Sequence, residues 1–386
     1  VKKLLVSVVL LAIISSVVCA GDNQSTKYVR LLSRNAATDS IDSVYFNPAG
    51  TAFLQKGFHI QLNGQAVRLD YSHELSSKTH TMINWVPFIP SAYAGYSGGN
   101  WAVFAGYSIP QGGGSLKWNS IKFFNKAASR FLDGDFEGES STHMLSVGAS
   151  HTLSPIIAIG ARFDTSFATA DYEADFTFPT ALGGAAVSGM AKMSKSGMGF
   201  GGTLGIHVQP NEKINASLTV ESTKEIKLKE ESSGGARGTL GILKASAPDE
   251  ATTPWVIRAG FSYTFPFELE IPVSFKYSFW KAVDDDKKDT MDAAVGFRYW
   301  LSEQLELSLG GSYTTSDTPK KKMDNTFLDP ELSSITIGGG MGWEIFDNLN
   351  LDLGLLYPIY FEKDGKLYKE LNKQVVVMSL GIGYIF

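Results

Sequence analysis

The sequence predicts an all-β fold: a fourteen-stranded antiparallel transmembrane β-barrel plugged by an N-terminal hatch. Three observations carry the prediction. Apolar and polar side chains alternate along segment after segment, the segments number fourteen, and the connections between them are short and long in strict turn. Successive side chains of a strand point to opposite faces, so alternation means one apolar face and one polar face. A soluble sandwich also alternates, but it has no reason to sort its loops by length. Short turns at one end and long loops at the other suit a barrel that crosses a bilayer.

The first element is an export segment. Lys2 and Lys3 precede an apolar run from Leu4 to Val18, and the small residues ending at Ala20 form a cleavage site, so residues 1–20 read as a signal peptide. The run has about fifteen residues, fewer than the roughly twenty that a membrane-spanning helix needs. Cys19, the single cysteine, lies inside it, and whether that residue is lipidated stays open. Cleavage after Ala20 leaves a mature chain with no thiol chemistry.

Residues 21–56 do not alternate. A short helix around Lys27–Arg34 is followed by small polar residues, yet Tyr28, Leu31, Leu32, Ile41, Val44, Tyr45 and Phe46 are too many apolar groups for a solvated tail. A wide barrel offers them one place of burial, its lumen.

From Gly57 the strands are expected at 57–71, 85–97, 100–109, 141–152, 156–178, 189–208, 214–228, 254–265, 269–282, 290–301, 304–315, 331–344, 348–360 and 374–386. The stretch at 348–360 shows the pattern: Leu349, Leu351, Leu353 and Leu355 share one face, Asn350, Asp352 and Gly354 the other. Short connections are SGGN, LSP, QPNEK, PFE, SEQ and FDN; long ones cover 72–84, 110–140, 179–188, 229–253, 283–289, 316–330 and 361–373. The last strand, VVVMSLGIGYIF, ends its apolar stripe in Phe386 and is similar to the closing strand of bacterial outer-membrane barrels. Aromatics near strand ends, among them Trp85, Trp101, Tyr299 and Tyr384, suit interfacial girdles. A net charge of −5 argues against nucleic acid as a partner.

The stretch NAATDSIDSVYFNPAGTAFL, Asn35–Leu54, resembles the hatch of the FadL-type outer-membrane transporters of long-chain fatty acids and other hydrophobic compounds. Asn47, Pro48 and Ala49 match its Asn-Pro-Ala motif, and Thr253–Tyr263 and Leu328–Tyr357 are like late strands of the family. The resemblance implies a monomer in the outer membrane of a Gram-negative bacterium that takes up a fatty acid or hydrocarbon without energy coupling or cofactor. It also implies a hatch (Tyr45, Phe46, Asn47, Pro48 and Ala49) lying by a kink in the third strand, through which substrate leaves sideways into membrane lipid. That strand here carries Gly106 and ends at Pro110. A porin for small polar solutes and an adhesin using the long loops are the competing readings.

Register places Arg162, Asp164, Arg258, Lys276 and Arg298 opposite the apolar stripes, hence in the lumen. An inward cation would bind a carboxylate head group; an Arg–Asp network holding hatch to wall explains the same residues. In the 110–140 connection, Ile121, Phe124, Ala128, Phe131 and Leu132 approximate one helical face, which is either a surface groove (Phe124, Phe131) for a greasy ligand or a cover over the mouth. Connection 229–253, rich in Gly, Ser and charge, reads as mobile. No catalytic or metal set is expected: His143 and His151 share a strand face without a third ligand, and Ser146 points the other way. The GMGFGGTLG run lies in a strand and lacks the helix of a phosphate loop.

Overall fold

The structure is a computed structural model that describes residues 22–125, 130–178, 187–247, 249–319, 328–329 and 331–386. The expected export segment, with Cys19, lies outside the described residues. In chain order the strands are β1 (Gly57–Leu75), β2 (Lys78–Ser97), β3 (Trp101–Asn125), β4 (Arg130–Ser154), β5 (Ile157–Phe178), β6 (Val187–Asn211), β7 (Ile214–Glu221), β8 (Lys229–Gly235), β9 (Val256–Phe265), β10 (Leu269–Ser278), β11 (Thr290–Trp300), β12 (Leu305–Thr314), β13 (Ser334–Phe346), β14 (Leu349–Tyr360) and β15 (Lys369–Ile385).

All pair antiparallel in one sheet that closes on itself where β1 meets β15. Phe386 N–H donates to Phe58 O at 2.8 Å at that seam. β7 and β8 both run along β6, β7 on residues 203–211 and β8 on 191–196, so together they fill one position and the wall has fourteen. Closure is what lipid demands, because an open edge would leave backbone groups unpaired in hydrocarbon.

The wall is inverted relative to a soluble protein. Leu353, Leu355, Leu380 and Ile382 are exposed on the outside, whereas Asp352 and Ser379 are buried within. The same holds on β5, where Phe163 and Phe167 face out and Arg162 and Asp164 face in. The buried apolar cluster lies inside the barrel, built from the N-terminal segment below and from Tyr71, Trp118, Leu132 and Tyr172 on the tall strands above.

β9 to β14 have 10–13 residues, the length a tilted spanning strand requires, but β1 to β6 have 19–25. Their outer halves stand beyond the lipid, and this corrects three expectations. The connection expected at 72–84 is strand closed by a two-residue turn, Ser76–Ser77, both at positive φ (52° and 60°) as a type I′ hairpin requires. Connection 110–140 is the upper β3–β4 hairpin, so the helix expected over 121–132 is strand: Phe124 pairs with Phe131 and Ile121 with Gly134. Residues 126–129 and the side chains of Phe124 and Phe131 lie outside the described residues. Outside the membrane a ladder needs no apolar outer face, so these halves lack the alternation by which strands were read.

The seventh wall position departs as well. The single strand expected over 214–228 stops at Glu221, and residues 224–228 arch inward to pair with 249–253 before β8 rejoins β6. The glycines of GMGFGG make room for the arch: a Cβ on Gly199 would stand 2.5 Å from Glu225 O. Region 229–253 is ordered as β8 and a helix, Arg237–Ser246.

Candidate functional site: the N-terminal segment, the β3 kink and the lumenal cavity

Residues 22–56 lie inside the barrel. Helix α1 (Thr26–Leu31) is capped by Ser25, whose Oγ accepts from Tyr28 N–H and donates to Asp42 at 2.6 Å. A second helix, α2 (Ser43–Phe46), leads into a 3₁₀ turn, Pro48–Phe53. Tyr45 and Phe46 are buried, Phe46 stacked on Tyr28 at 5.4 Å and Tyr45 under the guanidinium of Arg162 at 5.6 Å. Asn47 caps the turn: its Oδ1 accepts from Ala49 N–H at 3.0 Å and its Nδ2 donates to Ile206 O at 3.3 Å. Pro48 suits the first position of the turn because its fixed φ is already right and no N–H is wasted.

The turn is seated by glycine. A Cβ on Gly160 would lie 2.5 Å from Ala49 N and 2.6 Å from Pro48 C. Elsewhere Gly310 and Gly338 leave space for the carbonyls of Leu31 and Val29. The segment docks backbone-first onto an inner wall cleared of side chains, a feature hidden among 39 glycines in the sequence.

Each expected lumen charge is spoken for. Arg162 donates to Val44 O and Tyr45 O at 2.8 and 2.6 Å and pairs with Asp164 at 2.8 Å. Arg258 pairs with Glu221 at 2.6 Å and Asp22 at 3.2 Å, and Lys276 with Asp22 at 3.0 Å. Arg298 pairs with Asp39 at 2.9 Å and Glu270 at 3.3 Å. Arg30, not singled out in the sequence, joins Glu306 and Asp352. Between the two explanations offered for these cations, the geometry is that of wall-to-segment clamps, with carboxylates already in place.

The third strand does not end at Pro110, as expected, but kinks there. The β2–β3 ladder consists of six pairs, from Ser97–Ala102 to Ala92–Tyr107. Beyond it β3 shifts register against β4 between Ser108 and Gln111 and again at Gly112–Gly114, where Gly112 and Gly113 take φ of 72° and 96°. β2 carries Pro87 and Pro90 opposite, and neither proline has an N–H to give. The wall is unpaired at this seam until side chains bridge it higher up, Asn84 to Ser115 and His80 to Ser120. Gly106 sits below the kink, against the Tyr93 ring.

The residue that meets the kink is Gln24. Its Nε2 donates to Ile109 O and its Oε1 accepts from Ile109 N–H, both at 3.0 Å, as a strand neighbour would. Its own carbonyl accepts from Ser91 and Tyr93 on β2, at 2.5 and 3.0 Å. Asn47, Pro48 and Ala49 are elsewhere, against His207 on β6 and against Gly160 on β5, which pairs with Ser150 on β4. Ser150 pairs with Ala102, six residues or about 20 Å along β3 from the start of the kink. The expected neighbourhood of motif and kink is therefore not formed. Nothing in the sequence marks Gln24, a polar residue in a polar run.

Above the segment lies a cavity of about 320 Å³, reaching from Asp22, Asn23 and Gln111 beside the kink to Lys276, Asp292 and Trp280 across the barrel. At its mouth Asp317 and Asp329 are latched by the pairs Lys287–Asp317 (2.7 Å) and Lys373–Asp329 (3.0 Å). Burial pushes the Asp329 carboxyl up to about 6. Burial and the adjacent Glu331 push Asp317 up to about 7. A larger concavity, about 860 Å³, is on the outer face among the exposed apolar residues Leu62, Phe88, Leu353 and Leu380. Among the described residues no group of three or more His, Cys, Asp or Glu is placed to hold a metal ion.

This barrel is shared with solved structures. A Pseudomonas aeruginosa FadL homologue aligns over 94% of this chain and 98% of its own, at 14% identity and a TM-score of 0.72. The P. putida toluene transporter TodX aligns over 90% and 94%, at 14% identity and a TM-score of 0.70. The Ralstonia pickettii toluene transporter TbuX aligns over 90% and 94%, at 15% identity and a TM-score of 0.63. No family model matches the sequence, and no curated protein is similar to it. The chain has the FadL-type fold, a fourteen-stranded antiparallel barrel.

Proposed function

We propose that this chain is an outer-membrane channel for the passive uptake of hydrophobic molecules, a class that spans fatty acids and hydrocarbons, with release sideways through the wall. One observation carries the reading. The β2–β3 ladder stops at Ala92–Tyr107, and the unpaired Ile109 of the kink is held by Gln24, next to the cavity floor formed by Asp22 and Asn23. Moving residues 22–24 joins the cavity to the β2–β3 seam. A molecule leaving there enters hydrocarbon without crossing water, which only an apolar cargo tolerates.

Residues 22–56 act as the hatch, with Arg162, Arg258, Lys276 and Arg298 holding it and Tyr45 to Ala49 as its seat. The fold likeness to the FadL homologue and to the toluene transporters TodX and TbuX supports the same reading. The test is reconstitution. Liposomes carrying the protein should take up toluene faster than empty ones, while planar bilayers show almost no ion conductance. Large stable conductance would make the chain a porin and end the proposal. Replacing Gly112 and Gly113 with Ala penalises the left-handed backbone of the kink. Uptake should then fall in a barrel that remains heat-modifiable on gels.

A further inference from the structure

The lumenal cavity has two unlike walls. β14 and β15 contribute Leu356, Val375 and Val377 with the Tyr360 ring, whereas β10 to β12 contribute Lys276, Asp292, Ser312 and Thr314. Such a space fits a molecule with an apolar body and a polar edge, not a uniformly greasy one. Its volume, about 320 Å³, is at the lower end of ligand pockets, which run from roughly 300 to 1,000 Å³.

The cations of the polar side are matched. Lys276 pairs with Asp22 at 3.0 Å, Lys287 with Asp317 at 2.7 Å and Lys373 with Asp329 at 3.0 Å. Asp292 is different. It stands directly opposite Lys276 across the β10–β11 ladder, yet that ammonium turns to Asp22, and among the described residues no cation reaches Asp292 at ion-pair distance. Its single hydrogen bond comes from Thr314 Oγ1 to Oδ2 at 2.5 Å; Oδ1 has no partner among the described residues. The cavity thus presents a carboxylate oxygen with acceptor capacity to spare and no cation left over.

From this we infer that the preferred cargo is a compact, neutral amphiphile, a ring or short apolar body bearing one hydrogen-bond donor such as a hydroxyl, with Asp292 as the residue that selects it. A carboxylate cargo, long-chain fatty acids included, meets Asp292 as a like charge and finds every lining lysine paired. An ammonium cargo satisfies Asp292 but is rejected by the hydrocarbon at the sideways exit. This inference rests on the proposed channel reading, and the two fail by different results.

The experiment compares toluene, p-cresol and p-toluate, which share a methylated ring and differ in the polar group. Binding is measured calorimetrically on the refolded chain in micelles, with empty micelles as blank. p-Cresol should bind about tenfold more tightly than toluene, the worth of one hydrogen bond to a carboxylate, and p-toluate should bind most weakly. In Asp292→Ala the p-cresol advantage should vanish while toluene affinity stays. Thr314→Val frees the second oxygen and should keep or enlarge the advantage, which guards against reading a misfolded Asp292 variant as support. Equal affinity for toluene and p-cresol, or an advantage that survives Asp292→Ala, overturns the inference and leaves the channel standing. Failure of all three to bind or to enter liposomes overturns both.

Discussion

Gln24→Ala tests how the wall seam is held shut. Gln24 is 2% exposed, and its amide satisfies both the N–H and the C=O of Ile109. Below Tyr107 a strand of β2 would do this; at the kink β2 has left, and the β3–β4 register skips Ile109 and Pro110. Truncation to Ala orphans one donor and one acceptor, each costing about 1–3 kcal/mol if it stays dry. The adjoining cavity lets water refill the site, which places the total near the low end, about 2 kcal/mol. That corresponds to roughly thirtyfold more frequent local opening. Hydrogen exchange read by mass spectrometry should show the Ile109 amide exchanging about that much faster, with β14 amides such as Leu353 unchanged. Gln24→Glu keeps the acceptor for Ile109 N–H and loses the donor, so it should fall between. Unchanged protection at Ile109 in Gln24→Ala would refute the idea that the N-terminal segment closes the seam.

Three further outcomes are expected. Gly160→Val puts side-chain carbons where Pro48 and Ala49 pack; the barrel should fold and stay heat-modifiable, but limited proteolysis should cut the hatch near residue 50, and an uncut hatch would contradict the seating. Arg162→Met removes both bonds to the hatch carbonyls and leaves Asp164 buried beside a lysine 3.6 Å away; the loss, about 3–5 kcal/mol for a broken buried pair, should show as faster exchange at Val44–Asn47, and Arg162→Lys should restore only part of it. The mouth should loosen as pH rises. Asp317 and Asp329 are raised to about 7 and about 6, so the folded region binds protons the unfolded one releases, and that stability is full below the ordinary carboxylate range and gone above about pH 7. Glu331, held down to about 2 by Lys287, and Lys287 itself, pushed up by Glu331 and Asp317, keep their charge throughout. Exchange at residues 316–319 and 331–333, corrected for intrinsic rates, should be slower at about pH 5 than at about pH 8; the reverse order would mean that the ionised pairs outweigh the cost of burying two carboxylates, and would refute this pH dependence.

The spanning half of the barrel was legible because lipid imposes a strict rule on each strand. Leu353 and Leu355 must face hydrocarbon while Asp352 faces in, and the period of two survives in the sequence. The outer halves of β1 to β6 obey no such rule. Lys78–Asn84 and Leu116–Lys122 have water outside and protein inside, so their strands were read as loop, and Ile121 and Leu132 were taken for a helical face. The Asn-Pro-Ala motif was visible in the sequence; its seat against Gly160 was not, because a glycine kept empty for a distant backbone looks like any other glycine.

By itself the sequence determined closure into fourteen wall positions, the inward side of Arg162, Arg258, Lys276 and Arg298, and the Asn-Pro-Ala motif at Asn47–Ala49. These follow from local pattern: two-residue periodicity, turn chemistry and charge kept from lipid. Only the tertiary structure decided which groups meet across the lumen. It gave those cations to the carboxylates of Asp22, Asp39, Asp164 and Glu221 and to hatch carbonyls. It put Gln24, not Asn47, at the β3 kink, and left Asp292 without a cation among the described residues. Apart from Arg162–Asp164, two positions apart on β5, each of these pairings joins residues tens to hundreds of positions apart. Their energies depend on distance and burial, which a closed barrel fixes through its register around the whole ring and no single strand encodes.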